Sequence, residues 1–126
     1  MEKEITILYV DDEQVNLFLF ERNFEDSYSL FLASSGPEAL DILEDNHQRI
    51  IVVISDYKMP DMNGLEFIMK AKSNYQKIVY FMLTGYGDSE DIQKALEDGV
   101  IFDCFRKPLS MEAIEKKIDE ATLSML

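Results

Sequence analysis

Cysteine and histidine are nearly absent from this chain: Cys104 and His47 are the only ones. One thiol excludes an internal disulfide framework, and one thiol with one imidazole excludes a His/Cys zinc cluster. Basic residues are scarce too. Only 12 Lys and Arg stand against 25 Asp and Glu, for a net charge of −13 and a pI near 4.3. Such a balance excludes the basic face that a nucleic-acid binder needs, and it opposes docking on anionic lipid. Long apolar runs are missing as well. Ile50–Ile54 and Ile78–Leu83 are the longest, far short of the ~20 residues of a membrane span. The opening Met1-Glu2-Lys3-Glu4 lacks the basic-then-apolar plan of a signal peptide. These absences predict a soluble, cytoplasmic protein.

What is present is enough for a core. Hydrophobic residues make up 47%, which excludes an acidic disordered tail. The 126 residues fit one domain, residues 1–126, and a chain of this size buries about two thirds of its unfolded surface. No repeat, low-complexity stretch or Pro/Ser-rich linker divides it, and no effector domain is expected within it.

Two kinds of segment alternate. Ile5–Val10, Tyr28–Ala33, Ile50–Ile54, Lys77–Leu83 and Phe102–Phe105 are short and rich in β-branched or aromatic residues, so they predict strands. The intervening segments have helical spacing. Gln14–Phe24 carries Val15, Phe18 and Leu19, and Pro37–Asp45 carries Ala39, Leu40 and Leu43. Gly64–Lys72 carries Leu65, Ile68 and Met69, and Ser89–Asp98 carries Ile92, Ala95 and Leu96. Ser110–Leu123 carries Met111, Ile114, Ile118 and Ala121, with Ser110 as a cap. Strands joined by helices run parallel with right-handed crossovers. The all-apolar Ile50–Ile54 suits a strand covered on both faces. The expected fold is a doubly wound α/β sheet of five parallel strands in the flavodoxin-like order 2-1-3-4-5.

Ligands of such sheets bind beyond the carboxyl ends of the strands, at the switch point between strands 1 and 3. Asp11, Asp12 and Glu13 follow strand 1, and Asp56 follows strand 3. Thr84 and Gly85 follow strand 4, and Lys107 and Pro108 follow strand 5. Taken singly, the acids are helix caps or turn residues, Thr84 a turn residue and Lys107 a solvated lysine. Their arrival at one sheet edge is the informative feature. Clustered carboxylates repel by about 4 kcal/mol per pair at ~4 Å and an effective dielectric of ~20. A divalent cation removes that cost, and oxygen ligands without His or Cys select Mg²⁺ or Mn²⁺ over zinc. Lys107 adds a positive charge, Thr84 a hydroxyl and Gly85 an open backbone N–H. Together these suit a phosphoryl group beside a metal, and a carboxylate there can itself accept it.

Four motifs then identify a resemblance spanning Ile5 to Leu123. They are Tyr9-Val10-Asp11-Asp12-Glu13, the stretch from Ser55-Asp56 through Met59-Pro60 to Gly64, Leu83-Thr84-Gly85-Tyr86, and Arg106-Lys107-Pro108. The chain resembles a CheY-like receiver domain of a two-component response regulator. The resemblance implies a phosphorylation-operated switch rather than an enzyme with turnover. It makes Asp56 the phosphoacceptor and assigns Mg²⁺ to Asp12, Asp56 and the backbone carbonyl of Lys58, with Asp11 acting through a metal-bound water. Thr84 and Lys107 would contact phosphoryl oxygens, and the Lys107–Pro108 bond would be cis. A histidine kinase or histidine phosphotransfer protein would donate the group. Output would pass through the helix 4–strand 5–helix 5 surface to a partner that the chain does not name, from a monomer or weak homodimer.

Two positions depart from the family. Cys104 stands where members commonly carry an aromatic switch residue, so either Phe102 or Phe105 substitutes or the conformational readout differs. One extra residue separates Gly99 from Lys107. Lys58 and Tyr86 would border the path of attacking water and slow autodephosphorylation. His47 reads as a surface residue, Cys104 as a strand residue, and Met69 and Met82 as core filler. Two other functions compete: a receiver-like interaction module that ignores phosphate, and a haloacid-dehalogenase-type phosphohydrolase with Asp11 as nucleophile. The second lacks the Asp such enzymes place two residues on, since Glu13 is there.

Overall fold

The computed structural model describes residues 5–85, 89–108 and 110–123. Strands and helices alternate as β1 (Thr6–Val10), α1 (Gln14–Phe24), β2 (Ser29–Ala33), α2 (Gly36–Asn46), β3 (Val52–Asp56), α3 (Gly64–Asn74), β4 (Val79–Thr84), α4 (Glu90–Glu97), β5 (Asp103–Arg106) and α5 (Met111–Leu123). All neighbouring strands pair in parallel, in the order β2-β1-β3-β4-β5. The expected fold is therefore the observed one.

Period-two alternation divides the strand residues between two cores. Leu8, Val10, Val53 and Met82 face α2, α3 and α4, where they meet Ala39, Leu43, Phe67, Ile68 and Ile92. Ile7, Tyr9, Ile54, Phe81 and Leu83 face α1 and α5, meeting Leu17, Phe20, Phe24, Ile114 and Ile118. Each large side chain removed from water contributes roughly 1.5–3 kcal/mol, which together offsets the entropy of ordering the chain.

Caps account for the helix starts. The Ser35 hydroxyl accepts from the Glu38 N–H, the Ser89 hydroxyl from Ile92 and the Ser110 hydroxyl from Ala113. Asn63 and Glu66 form a reciprocal capping box at α3. Each such cap stabilises its helix by about 1 kcal/mol. Helix α4 ends at Gly99, whose φ of 75° lies in the left-handed region, and Lys72 Nζ donates to its carbonyl at 2.6 Å.

Three expectations about packing are corrected. The first concerns α1: Val15, Phe18 and Leu19 are 67%, 58% and 49% exposed, while Leu17, Phe20 and Phe24 are buried. The helix is apolar almost all round, so two overlapping stripes fit its sequence, and contact with β1 selects one. Phe18→Ala should therefore leave unfolding free energy within about 0.5 kcal/mol of wild type in a urea melt. A loss comparable with a core truncation would contradict this placement. The second concerns Met69 and Met111, which are exposed, whereas Met82 is fully buried as core filler. Third, β3 begins and ends two residues later than Ile50–Ile54. Pairing of Ile7 with Val52 and of Asp56 with Leu83 carries the polar Ser55 and Asp56 into the ladder.

Candidate functional site

Strand pairing brings the acids together. The Asp11 N–H, just past β1, donates to Ala33 at 3.0 Å, and the Tyr57 N–H, just past β3, donates to Leu83 at 2.9 Å. Both loops are thus tied to the neighbouring strand where their acids emerge. One carboxylate oxygen each from Asp11, Asp12 and Asp56 lies within 4.8 Å of the others. Asp11 and Asp56 are buried, whereas Asp12 is more open at the mouth. The donors are all oxygens, and they converge from two adjacent strand ends. That set fits a hard divalent cation, for which acid repulsion would otherwise go uncompensated.

Lys107 enters from the other side. Its Nζ lies 3.2 Å from Asp56 Oδ1 and 3.3 Å from Oδ2, touching both oxygens. The Lys107 N–H donates to the Thr84 carbonyl at 2.9 Å, which anchors the lysine to the end of β4, and the Lys107–Pro108 bond is cis as expected. Burial first, then the Asp11 charge, raise the Asp56 pKa above the ordinary carboxylate range, and Lys107 pulls back against both. A carboxylate that is dry, crowded by acids and touched by one cation is reactive towards an electrophile that brings its own counter-charges.

Thr84 is buried at the last position of β4, opposite Arg106, and Gly85 follows at the surface. A Cβ at Gly85 would meet only Lys107 Cδ, at 3.7 Å. Lys58 is exposed two residues beyond Asp56. Tyr86, expected to border the water path, lies outside the described residues. Asp61, in the loop between β3 and α3, has a φ of 68°, a conformation that Asp tolerates better than most residues.

Of the two alternatives at Cys104, the packing of Phe102 and Phe105 favours a different readout over an aromatic substitute. Phe105 stacks on Phe81 with centroids 5.1 Å apart, and Phe102 meets the same ring edge-on at 5.5 Å. Along β4, Phe81 and Leu83 point to one face and Met82 and Thr84 to the other. Both Phe rings therefore pack with Phe81, away from the face of Thr84, while half-buried Cys104 packs against the core shared by α2, α3 and α4. His47 is half-buried rather than exposed. It stacks on Tyr75 at 4.7 Å, and its Nδ1 lies 3.1 Å from the Leu43 carbonyl. It follows α2 and precedes β3, at the sheet edge remote from the acids.

One residue of the site was missed in the sequence. The Tyr9 hydroxyl donates to Asp11 Oδ2 at 2.8 Å in a fully buried contact. Burial first and the adjacent Asp11 charge second push its phenol pKa far up, so it remains a donor. The signal was available: residues two apart on a strand share a face.

Comparison with known proteins converges on one family. The model described as the response regulator receiver domain matches residues 7–119. Sporulation initiation phosphotransferase F of Bacillus subtilis is 32% identical over 113 residues, covering 89% of this chain and 89% of that protein. The hydrogenase transcriptional regulatory protein HoxA of Cupriavidus necator is 31% identical over 107 residues, 85% of this chain. The chain spans only 22% of that regulator's length. A response regulator receiver domain protein from Clostridium thermocellum superposes with a TM-score of 0.86 at 32% identity, covering 93% of both chains. No helix among the described residues is long and apolar enough to cross a membrane. Fold, motif order and relatives agree: the chain belongs to the response regulator receiver domain family.

Proposed function

We propose that this chain is a phosphorylation-operated switch in which Asp56 accepts a phosphoryl group from a phosphohistidine on a kinase or phosphotransfer partner. A single observation carries the reading: Asp56 meets Lys107 through both oxygens while two further acids converge within 4.8 Å. In the proposed step an Asp56 oxygen attacks phosphorus, a P–O bond forms, the P–N bond breaks, and the imidazole leaves with the electron pair. Lys107 transfers its contact from the carboxylate to a phosphoryl oxygen, and the Thr84 hydroxyl donates to another. Asp11, Asp12, Asp56 and the Lys58 carbonyl would hold Mg²⁺, or Mn²⁺, whose charge would neutralise the acids and the incoming oxygens. Lys58, at the mouth, would shield the product from water.

The donor's approach is supported by α1. Its exposed Val15, Phe18 and Leu19 form an uncharged surface on an otherwise acidic protein. Beside it runs a groove of about 560 Å³ lined by Leu19, Phe20, Leu83, Pro108 and Lys107, the lysine that contacts Asp56. The phosphoryl group adds about −1.5 to −2 charges at the end of β3. Movement of Thr84 and Lys107 towards it would bias the α4–β5–α5 surface between two conformations. With Cys104 in place of an aromatic ring, that bias must be carried by other side chains. A phosphohydrolase reading with Asp11 as nucleophile fits poorly, because Glu13 stands where such enzymes carry their second Asp.

Incubation with Mg²⁺ and a small phosphodonor such as phosphoramidate should add the mass of one phosphoryl group, mapping to the Asp56 peptide. Chelation of the metal should prevent it. Lys107→Ala should slow uptake roughly 10²-fold, the usual effect of removing one charge-stabilising group. A folded wild type that gains no mass with Mg²⁺ present would overturn the reading.

A further inference from the structure

We propose that Tyr9 is a positioning residue for divalent-cation binding, its hydroxyl fixing the Asp11 carboxylate in the orientation that faces the metal. The inference rests on the phosphoacceptor reading of the same site and adds to it a residue from inside the sheet.

Tyr9 and Asp11 are two residues apart at the end of β1, so their side chains leave the backbone on the same side. The Tyr9 ring cannot move freely. It is fully buried and stacks on Phe20 with centroids 4.0 Å apart and planes 3° from parallel. Phe20 is held in turn by Phe24 at 4.7 Å. The hydroxyl therefore has a fixed origin, and it donates to Asp11 Oδ2 at 2.8 Å. The other Asp11 oxygen, Oδ1, accepts from the Glu13 N–H at 3.0 Å.

Two donors on the two oxygens block rotation of the carboxylate. A carboxylate has about four lone-pair sites, so roughly two remain, and one Asp11 oxygen lies within 4.8 Å of oxygens of Asp12 and Asp56. The arrangement parallels the outer partners that orient metal-binding side chains elsewhere, whose removal usually lowers metal affinity by about 10–100-fold.

Tyr9→Phe isolates the effect, because it keeps the ring and its stacking and removes one donor. Mg²⁺ titrated calorimetrically into the full chain should bind roughly tenfold more weakly to Tyr9→Phe than to wild type. In an Asp11→Asn background the same change should alter affinity little, since no carboxylate remains to orient. A spectroscopic arm reads the contact directly. The chain has no tryptophan, so tyrosine near-ultraviolet absorbance is unobscured. Mg²⁺ should draw charge from Asp11, weaken the hydrogen bond and give a tyrosine difference spectrum that Tyr9→Phe lacks. Wild-type affinity in Tyr9→Phe, an undiminished loss in the Asp11→Asn background, or a difference spectrum that persists without the Tyr9 hydroxyl would each overturn the proposal. If wild type itself binds no Mg²⁺, both this proposal and the phosphoacceptor reading fall. If wild type binds and Tyr9→Phe binds equally well, only this one does.

Discussion

Asp56→Asn will take up no phosphoryl group, and without metal at pH 7 it will melt higher than wild type. The first effect follows from chemistry. Asn keeps the size of the side chain but lacks the anionic oxygen that attacks phosphorus. The second follows from the site's electrostatics. Asp56 is 3% exposed and faces Asp11, and Lys107 only partly offsets burial and repulsion. Its folded pKa therefore lies above its unfolded value. For such a carboxyl group, the favourable contribution to folding is complete below the unfolded pKa and is lost as pH rises through the folded one. At pH 7, above the unfolded value, that contribution is diminished in wild type, whereas Asn does not titrate. Loss of the Lys107 ion pair limits the gain to on the order of 1 kcal/mol, a few degrees in melting temperature for a domain of this size. The advantage should shrink as pH falls towards about 4, near the unfolded carboxyl range. Thermal melts in a metal chelator from pH 4 to 8 check this. An Asn variant less stable than wild type at pH 7 would mean that Lys107 outweighs burial and Asp11 together.

Gly64→Ala should cost more than about 4 kcal/mol, beyond the range of ordinary substitutions. A Cβ there would land on the Asp56 carbonyl oxygen, with the Asp56 carbonyl carbon and Met82 Sδ each at 3.0 Å. Neither side can retreat cheaply. Asp56 is locked in β3 opposite Leu83, and the Gly64 N–H donates to the Tyr57 carbonyl at 2.8 Å. What requires glycine is the close approach of α3 to the Asp56 backbone. Gly85→Ala is the control, since its Cβ would make only an ordinary contact with Lys107. Chemical denaturation compares the two. A Gly64→Ala protein as stable as Gly85→Ala would show that α3 does not sit this close to β3.

The sheet order was legible because alternating strand and helix signals, with a central strand apolar throughout, admit few topologies. The acids, Thr84 and Lys107 were legible because such a sheet collects whatever follows its strands at one edge. The buried face of α1 was not. Val15, Leu17, Phe18, Leu19, Phe20 and Phe24 surround that helix, and periodicity cannot choose between overlapping apolar stripes. Whether an aromatic ring substitutes for Cys104 stayed open in the sequence for a related reason. Adjacency in sequence put Phe105 next to the position, but strand alternation turned it to the opposite face.

The order of residue types along the chain alone determined that this is a five-fold βα unit with an acidic, lysine-bearing edge, since secondary-structure period and strand-end position are local properties. Distances and faces were decided only by tertiary structure. Parallel pairing of β1 with β3 brings Asp11 to Asp56, and the end of β5 delivers Lys107 to both Asp56 oxygens. Packing of α1 on β1 fixes the Tyr9 ring against Phe20 and so aims its hydroxyl at Asp11. Contacts between residues far apart in the chain depend on which surfaces exclude water together, and that is a property of the assembled layers rather than of any one segment.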